Sequence, residues 1–480
     1  MYIALIIIII IAFLSTITIR TIRFKPEKTS STETLSMPEN QSPEHLAKII
    51  SFKTISYPNV DNVDWEEFQR LHSWLKEAYP LVHEHLELEM IGGYTLHYTW
   101  KGTSSDLEPI LLLAHQDVVP TGEDSGWEHG PFSGDIDDMF IWGRGTLDVK
   151  IQIIGILEAI EALLIEGFTP QRSIHLCFGH DEEVGGYHGA SAAVELFKER
   201  GLRFAYVLDE GGAVSEGMIK GIDKPIATIG IGEKGYLDIE IKSLSPGGHS
   251  SMPMPHTALS RIAKAITRLQ KHPMPLRLEV APSAMFKVLG PHMSLTNRIV
   301  LANLWIFKPL FLSIMSKNNT SNSMIRTTIA STMASGSGAA NVLPTEATAI
   351  LNIRLLHGDT VESVVEYIKK VIDDPQVSVT PLREENPSHL SPVEGKEFSL
   401  IKNTVAKVFT DAIIAPYLMV GGSDARKYEA VSDKVYRFGP YQLPAAELGR
   451  MHSYNERISI DNVKKGCLFY EELIKATNEL

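Results

Sequence analysis

The 480-residue chain reads as an α/β protein: a large, mostly parallel sheet covered by helices, with a small α+β domain inserted into it. Three observations carry this reading. Strand-like apolar runs alternate with helix-like runs up to about residue 235; strands of period two replace them after Gly235; and a strand of the first kind returns near residue 435.

The elements follow in order. MYIALIIIIIIAFLSTITIR opens with an apolar run of about 18 residues, close to the roughly 30 Å needed to cross a bilayer. No basic residue precedes it and no small-x-small cleavage site follows, so residues 1–25 read as a signal anchor or an uncleaved signal. Arg20, Arg23, Lys25 and Lys28 flank the run, and by the positive-inside rule alone they would keep the body cytoplasmic. PEKTSSTETLSMPENQSPEH, residues 26–45, is polar, proline-bearing and aperiodic, as a tether should be.

From 46 to 235 the runs are ILLLA, then IQIIGILEAIEALLIEG ending at Gly167, SIHLCFG, a helix around Ala190 to Arg200, and FAYVLD. The small domain is assigned to 236–356. Its signals are the alternating YLDIEIKSL, a helix from Thr257 to Lys271 and the alternating ATAILNIRLL. VESVVEYIKKVI then opens the second catalytic part, 357–480. RIVLANLWIFKPLFLSIMSK, 298–317, leaves three readings: a buried helix pair, an apolar surface that takes an acyl chain or touches a membrane, or a second span, which Lys308 and Pro309 disfavour.

Composition narrows the function. Hydrophobic residues at 44% and charged residues at 21% are globular values. With 45 basic against 58 acidic residues and no basic cluster, nucleic acid is not an expected partner. Cys177 and Cys467 are too few for a disulfide framework or a thiolate site, so any metal must be held by nitrogen and oxygen.

Such ligands lie at the predicted strand ends. His115 and Asp117 close ILLLAHQD, Glu182 and Glu183 sit in GHDEEVGG, and Asp209 and Glu210 close FAYVLDE. The carboxyl ends of parallel strands open onto one crevice, where separate stretches can meet. Asp148, in GRGTLDVK, precedes the long helix. Each piece alone has an ordinary reading: a structural strand end, a solvated acidic face, a helix cap. Together, an imidazole and several carboxylates suit a pair of zinc, cobalt or manganese ions, with Asp148 the candidate bridge. Neighbouring residues point apart, so one of Glu182 and Glu183 can ligate while the other takes a proton from water. Asp117 can accept the second N–H of His115.

HQDVVP, GRGTLDVK, GHDEEVGG, VLDEGG, PGGHSSMP, GGSDARKY and MHSYNE, in that order, resemble the di-zinc metallopeptidase family of aminoacylase, carboxypeptidase S and glutamate carboxypeptidase. The resemblance runs from about residue 45 to the C-terminus and is nearest to the carboxypeptidase S and N-fatty-acyl-amino-acid synthase/hydrolase branch. It implies a phosphorylase/hydrolase-like mixed sheet with helices on both faces, and an insert serving as lid or dimerisation domain in a monomer or homodimer. It implies two Zn2+, with Co2+ or Mn2+ as substitutes, on His115, the bridging Asp148, Glu183, Asp209 and His452. Asp117 matches the residue orienting His115, Glu182 the general base, and His249 the histidine aimed at the oxyanion. Arg354 matches a substrate-carboxylate arginine, Asn341 a lid residue, and Gly421, Gly422 and Ser423 a carboxylate-receiving turn. A cis peptide is implied after Asp148. The sequence departs from the family at Ile151 and Gln152, where a glycine is usual.

The function expected is cleavage, and in reverse synthesis, of the amide bond of N-acyl amino acids or short peptides with a free carboxylate. A deacetylase of non-peptide amides and a metal-free binding protein are the alternatives. The branch is secretory, vacuolar or extracellular, which opposes the flanking charge; an extracytoplasmic body is expected.

Overall fold

Strand Ile110–His115 is buried along its whole length because helices meet both of its faces. The computed structural model, which describes residues 2–27 and 35–480, places it between the parallel strands Ile174–Gly179 and Tyr206–Asp209. Among the described residues the sheet has ten strands. Thr95–Trp100 and Glu87–Ile91 extend it antiparallel on one side; Val435–Arg437 continues it parallel on the other, followed by Ile226–Glu233. The sheet is therefore mixed, with a parallel centre. Residues 28–34 of the expected tether lie outside the described residues.

Period two divides the central strand between two cores. Ile110, Leu112 and Ala114 face the core holding helices Lys150–Ile165 and Ile460–Ala476, while Leu111 and Leu113 face the core under Ala190–Glu199. Helix Lys150–Ile165 is apolar almost all round because the sheet, Ile460–Ala476, Ser42–Ile50 and Pro80–His85 enclose it. Ile153, Ile154, Ile156, Leu157 and Ile160 are fully buried in it, each contributing roughly 1.5–3 kcal/mol. Gln152, at the departure from the family pattern, is also buried; its Nε2 reaches the Leu113 carbonyl at 3.5 Å.

The small domain is a four-stranded antiparallel sheet in the order Thr328–Ser335, Glu346–Leu355, Gly235–Leu244, Val377–Glu385. Helices Ala258–Lys271 and Val361–Ile372, each opened by a capping box, cover one face of it. Two of the expected boundaries are corrected. Val361–Ile372 and Val377–Glu385 belong to this sheet rather than to the second catalytic part: Val364 and Ile368 pack with Leu237 and Leu351. Conversely, helix Val280–Leu289 lies inside the expected insert but packs on the main body, where Met285 and Leu289 meet Ile226, Ile413 and Ala415.

One pair in the main sheet sets an acid limit on stability. His97 and His175 are buried, stack with ring centroids 5.1 Å apart, and share a hydrogen bond of 2.9 Å between Nε2 and Nδ1. Burial first, then the neighbouring His97 and Arg200, push His175 down to about 3. The folded value lies below the unfolded one of about 6.5, so the unfolded chain binds more protons between them. Stability is full above the upper value and falls as the pH drops through this window. His175→Phe, among Phe197 and Phe204, should flatten the slope of unfolding free energy with pH. Urea titrations at about pH 4 and about pH 7 test it, and an unchanged slope refutes it.

Candidate metal centre

The crevice at the carboxyl ends of the central strands collects side chains from five separate stretches. His115 ends its strand with the ring 2% exposed. Its Nδ1 donates to the backbone carbonyl of Asp117 at 2.9 Å, so Nε2 faces inward, 3.0 Å from Asp148 Oδ1 and 3.4 Å from Glu210 Oε1. His452 comes from the C-terminal part, in a backbone turn of positive φ; its Nε2 lies 2.8 Å from Asp148 Oδ2 and 3.3 Å from Glu183 Oε2. Each oxygen of Asp148 thus faces a different imidazole. The peptide bond after Asp148 is cis.

Asp117 lies beside the His115 ring and also binds the acidic turn. Its carboxylate accepts the backbone N–H groups of Glu182 and Glu183, both at 3.1 Å, and so holds the acidic turn beside His115; the ring nitrogen is 3.5 Å away. Gly186 closes that turn at positive φ, where a Cβ would come 1.9 Å from Asp424 Oδ1.

On the third strand two adjacent carboxylates lie near His115. Glu210 has its oxygen within ligand distance of His115 and Glu182, while Asp209, the residue expected, does not, consecutive side chains at a strand end pointing to opposite sides. Asp209 lines a small space shared with His115, Glu182, Asp424 and Tyr428; its Oδ2 is buried and unpartnered, and burial pushes its carboxyl up to about 6.

The electrostatics suit a cation. Burial, and then the charge of neighbouring acids, raises the carboxyl groups of Glu182 and Glu210 well above the usual range. Glu183 is raised by burial against the pull of His452. Its Oε1 is buried without a partner. With Nδ1 of His115 committed as a donor, Nε2 faces two carboxylate oxygens, whose neighbourhood favours positive charge there, as a proton on the ring or as a cation that the neutral ring ligates. Ligand atoms of His115, Asp148 and Glu183 lie within 4.8 Å of one another, as do those of His115, Glu182 and Glu210. An all-nitrogen-and-oxygen set of this kind fits a divalent metal.

A buried ion pair joins the two ligand loops. Glu456 Oε2 accepts from Arg144 Nη1 at 2.6 Å, and Oε1 accepts the N–H groups of Gly145 and Leu147 at 3.0 and 2.9 Å. The pair fixes the approach of Asp148 and His452, four residues away on either side. Neither residue was singled out above, although both stand in the motifs GRGTLD and MHSYNE. Glu456→Ala should cost about 3–5 kcal/mol by stranding the buried guanidinium, read as a lowered thermal midpoint; a neutral result refutes the clamp.

The remaining expected residues lie apart. His249 and Asn341 sit on an exposed ribbon, where Gly248–His249 pairs with Val342–Leu343 and the His249 ring bonds Ser251 Oγ at 2.8 Å. The structure does not bring them to the cluster. Arg354 lies over the Tyr236 ring at 4.6 Å with no carboxylate partner among the described residues. The glycine turn at Gly421 and Gly422 leads into Ser423, whose N–H is not free: Glu233 accepts it at 3.3 Å and the hydroxyl at 3.0 Å. Glu233 is held in turn by Arg437 Nε at 2.7 Å, both residues being fully buried.

A mixed α/β sheet whose strand ends gather two imidazoles and several carboxylates defines a metal-dependent hydrolase. The chain matches Peptidase family M20/M25/M40 over residues 111–476 and belongs to that family of metallopeptidases. It is 38% identical over 485 residues to probable carboxypeptidase S-like 2 of Dictyostelium discoideum, covering 98% of this chain and 93% of that one. It is 36% identical to N-fatty-acyl-amino acid synthase/hydrolase PM20D1.1 of Danio rerio, covering 90% and 86%, and 32% identical to carboxypeptidase S of Saccharomyces cerevisiae, covering 92% and 84%. In fold it is similar to the metallo-carboxypeptidase Sso-CP2 of Sulfolobus solfataricus, with a TM-score of 0.67 at 20% identity over 92% of this chain and 100% of that one.

Proposed function

We propose that the protein is a binuclear zinc amidohydrolase that releases amino acids from N-acyl amino acids or short peptides bearing a free carboxylate, and that can run in reverse. The observation that carries it is Asp148 standing between the two imidazoles, one oxygen to each. In this reading His115, His452, Asp148, Glu183 and Glu210 hold the ions, with Co2+ or Mn2+ able to substitute. A divalent cation bound there supplies Lewis acidity to a carbonyl and to water.

The protein's own groups do the rest. Glu182 takes a proton from water and gives it to the leaving nitrogen; Asp117 holds Glu182 and Glu183 in place. Arg354 receives the substrate carboxylate. The small domain acts as a lid or dimerisation surface that closes to bring His249 and Asn341 over the scissile carbonyl. A long acyl group has a place to go: a cavity of about 670 Å³ beside the acidic turn is lined by Val60, Val63, Trp65, Tyr94, Val184 and Tyr187.

The decisive experiment follows amino-acid release from N-acetyl and N-palmitoyl amino acids and from dipeptides, with and without a chelator. Chelator-sensitive release supports the reading. No turnover of either class by zinc-loaded protein removes it, and turnover only of amides without a carboxylate favours a deacetylase.

The Tyr2–Arg23 helix is long and apolar enough to cross a membrane. We place it in the bilayer as an anchor with the catalytic body on the extracytoplasmic side, as the branch suggests against the flanking charge. Protease protection on intact cells tests the orientation; a body protected from outside reverses it.

A further inference from the structure

The apolar stretch 298–317 takes no part in the enzyme described so far. It falls in two short helices, Leu295–Ala302 and Leu304–Met315. The second helix has two faces. Phe311 and Leu312 are buried on one, where Phe311 meets Phe286 and Leu301. On the other, Ile306 is 39% exposed, Leu310 51% and Ile314 54%; Trp305, at the start of the helix, is 55% exposed. No segment among the described residues covers that face.

What covers it is indicated by its neighbour. The Tyr2–Arg23 helix lies against this helix pair and is bonded to it. Buried Asn303 Nδ2 donates to Thr21 Oγ1 at 3.2 Å, Arg20 Nε to the Ala302 carbonyl at 3.0 Å, and Arg298 Nη2 to the Thr21 carbonyl at 3.0 Å. The Phe13 ring meets Trp305 edge-on at 5.8 Å. The exposed face is thus continuous with an exposed helix long and apolar enough to cross a membrane.

The levels agree as well. Phe13 precedes Arg20 by seven residues, which is about 10 Å along the axis, and interfacial helices bury their apolar face by about 5–10 Å. Lys308, the charge within the second helix, is exposed beside Trp305, where a long stem can carry it to the headgroups. At the end of the spanning helix and just past it, Arg23, Lys25 and Lys287 line a cleft of about 380 Å³ together with Glu394 and the Glu27–Lys402 pair. Four basic against two acidic side chains leave the cleft net basic, which suits phosphate headgroups.

We propose that helix Leu304–Met315 docks on the phospholipid bilayer, lying in its interface against the spanning helix. The chain then holds the membrane at two contiguous places, and its catalytic body is fixed in orientation rather than swinging on a tether. The inference is independent of the amide chemistry and rests on the anchor placement above.

Cys177 and Cys467 are buried, so a single engineered cysteine can carry an environment-sensitive fluorophore. The full chain bearing Leu310→Cys is reconstituted in phosphatidylcholine vesicles; Leu382→Cys, on the small domain and 59% exposed, is the reference. The probe at 310 should be quenched by a lipid-borne nitroxide and quenched several-fold less by aqueous iodide than the probe at 382. In chain that resists carbonate extraction, iodide access at 310 overturns the proposal. Shielding from both quenchers also overturns it, since a second copy or another protein surface would then occupy the face. If carbonate extracts the chain, the anchor fails and the proposal falls with it, whereas chelator-sensitive amide hydrolysis would stand.

Discussion

Glu182→Gln should lower kcat by about 10²–10⁴ while leaving KM close to wild type. Gln keeps the shape of the side chain and its position, since the main-chain N–H of residue 182 still donates to Asp117. It cannot take up a proton. A second effect separates this role from a structural one. Burial, and then the charges of Glu210, Asp424 and Glu183, oppose ionisation of Glu182. Removing that charge should therefore raise the thermal midpoint of chelator-treated protein even as activity is lost. Glu183→Gln should behave differently, losing metal along with activity, because its carboxylate faces His452 and Asp148. An E182Q enzyme with wild-type kcat would end the assignment of Glu182 as the base.

The sheet and the convergence of distant ligands were legible because each is written locally. Buried strands such as ILLLA and SIHLCFG are continuous apolar runs, and parallel strands must open their carboxyl ends on one side. His115, Asp148 and Glu183 meet accordingly, and His452, which only the family resemblance supplied, lies beside them. Other features depend on which way a side chain points after the fold has closed. Asp209 and Glu210 are adjacent carboxylates in one motif, and composition cannot say which faces inward. The Glu233 carboxylate that takes up the Ser423 N–H arrives from another strand, and nothing in GGSDAR announces it. Likewise, VSVTPLREE is a strand at the sheet edge with a proline and few apolar residues, so its pairing with Gly235–Leu244 carries no strong pattern of its own.

The choice between Asp209 and Glu210 carries the other large effect. Glu210→Gln should weaken binding of one metal equivalent by at least the 10–100-fold that even outer residues of such sites command. Asp209→Asn should leave the metal content at wild type. The difference follows from position: Glu210 Oε1 is 3.4 Å from His115 Nε2, in a group of ligand atoms within 4.8 Å of one another, whereas Asp209 is not in such a group. Asn at 209 keeps a polar group there without the charge that burial and Glu233 resist, so D209N should also be at least as stable as wild type. Metal analysis after dialysis against a zinc buffer, with thermal midpoints of both variants, distinguishes the two. Loss of metal in D209N with full occupancy in E210Q would return Asp209 to the ligand set and require the strand end to turn over when the ion binds.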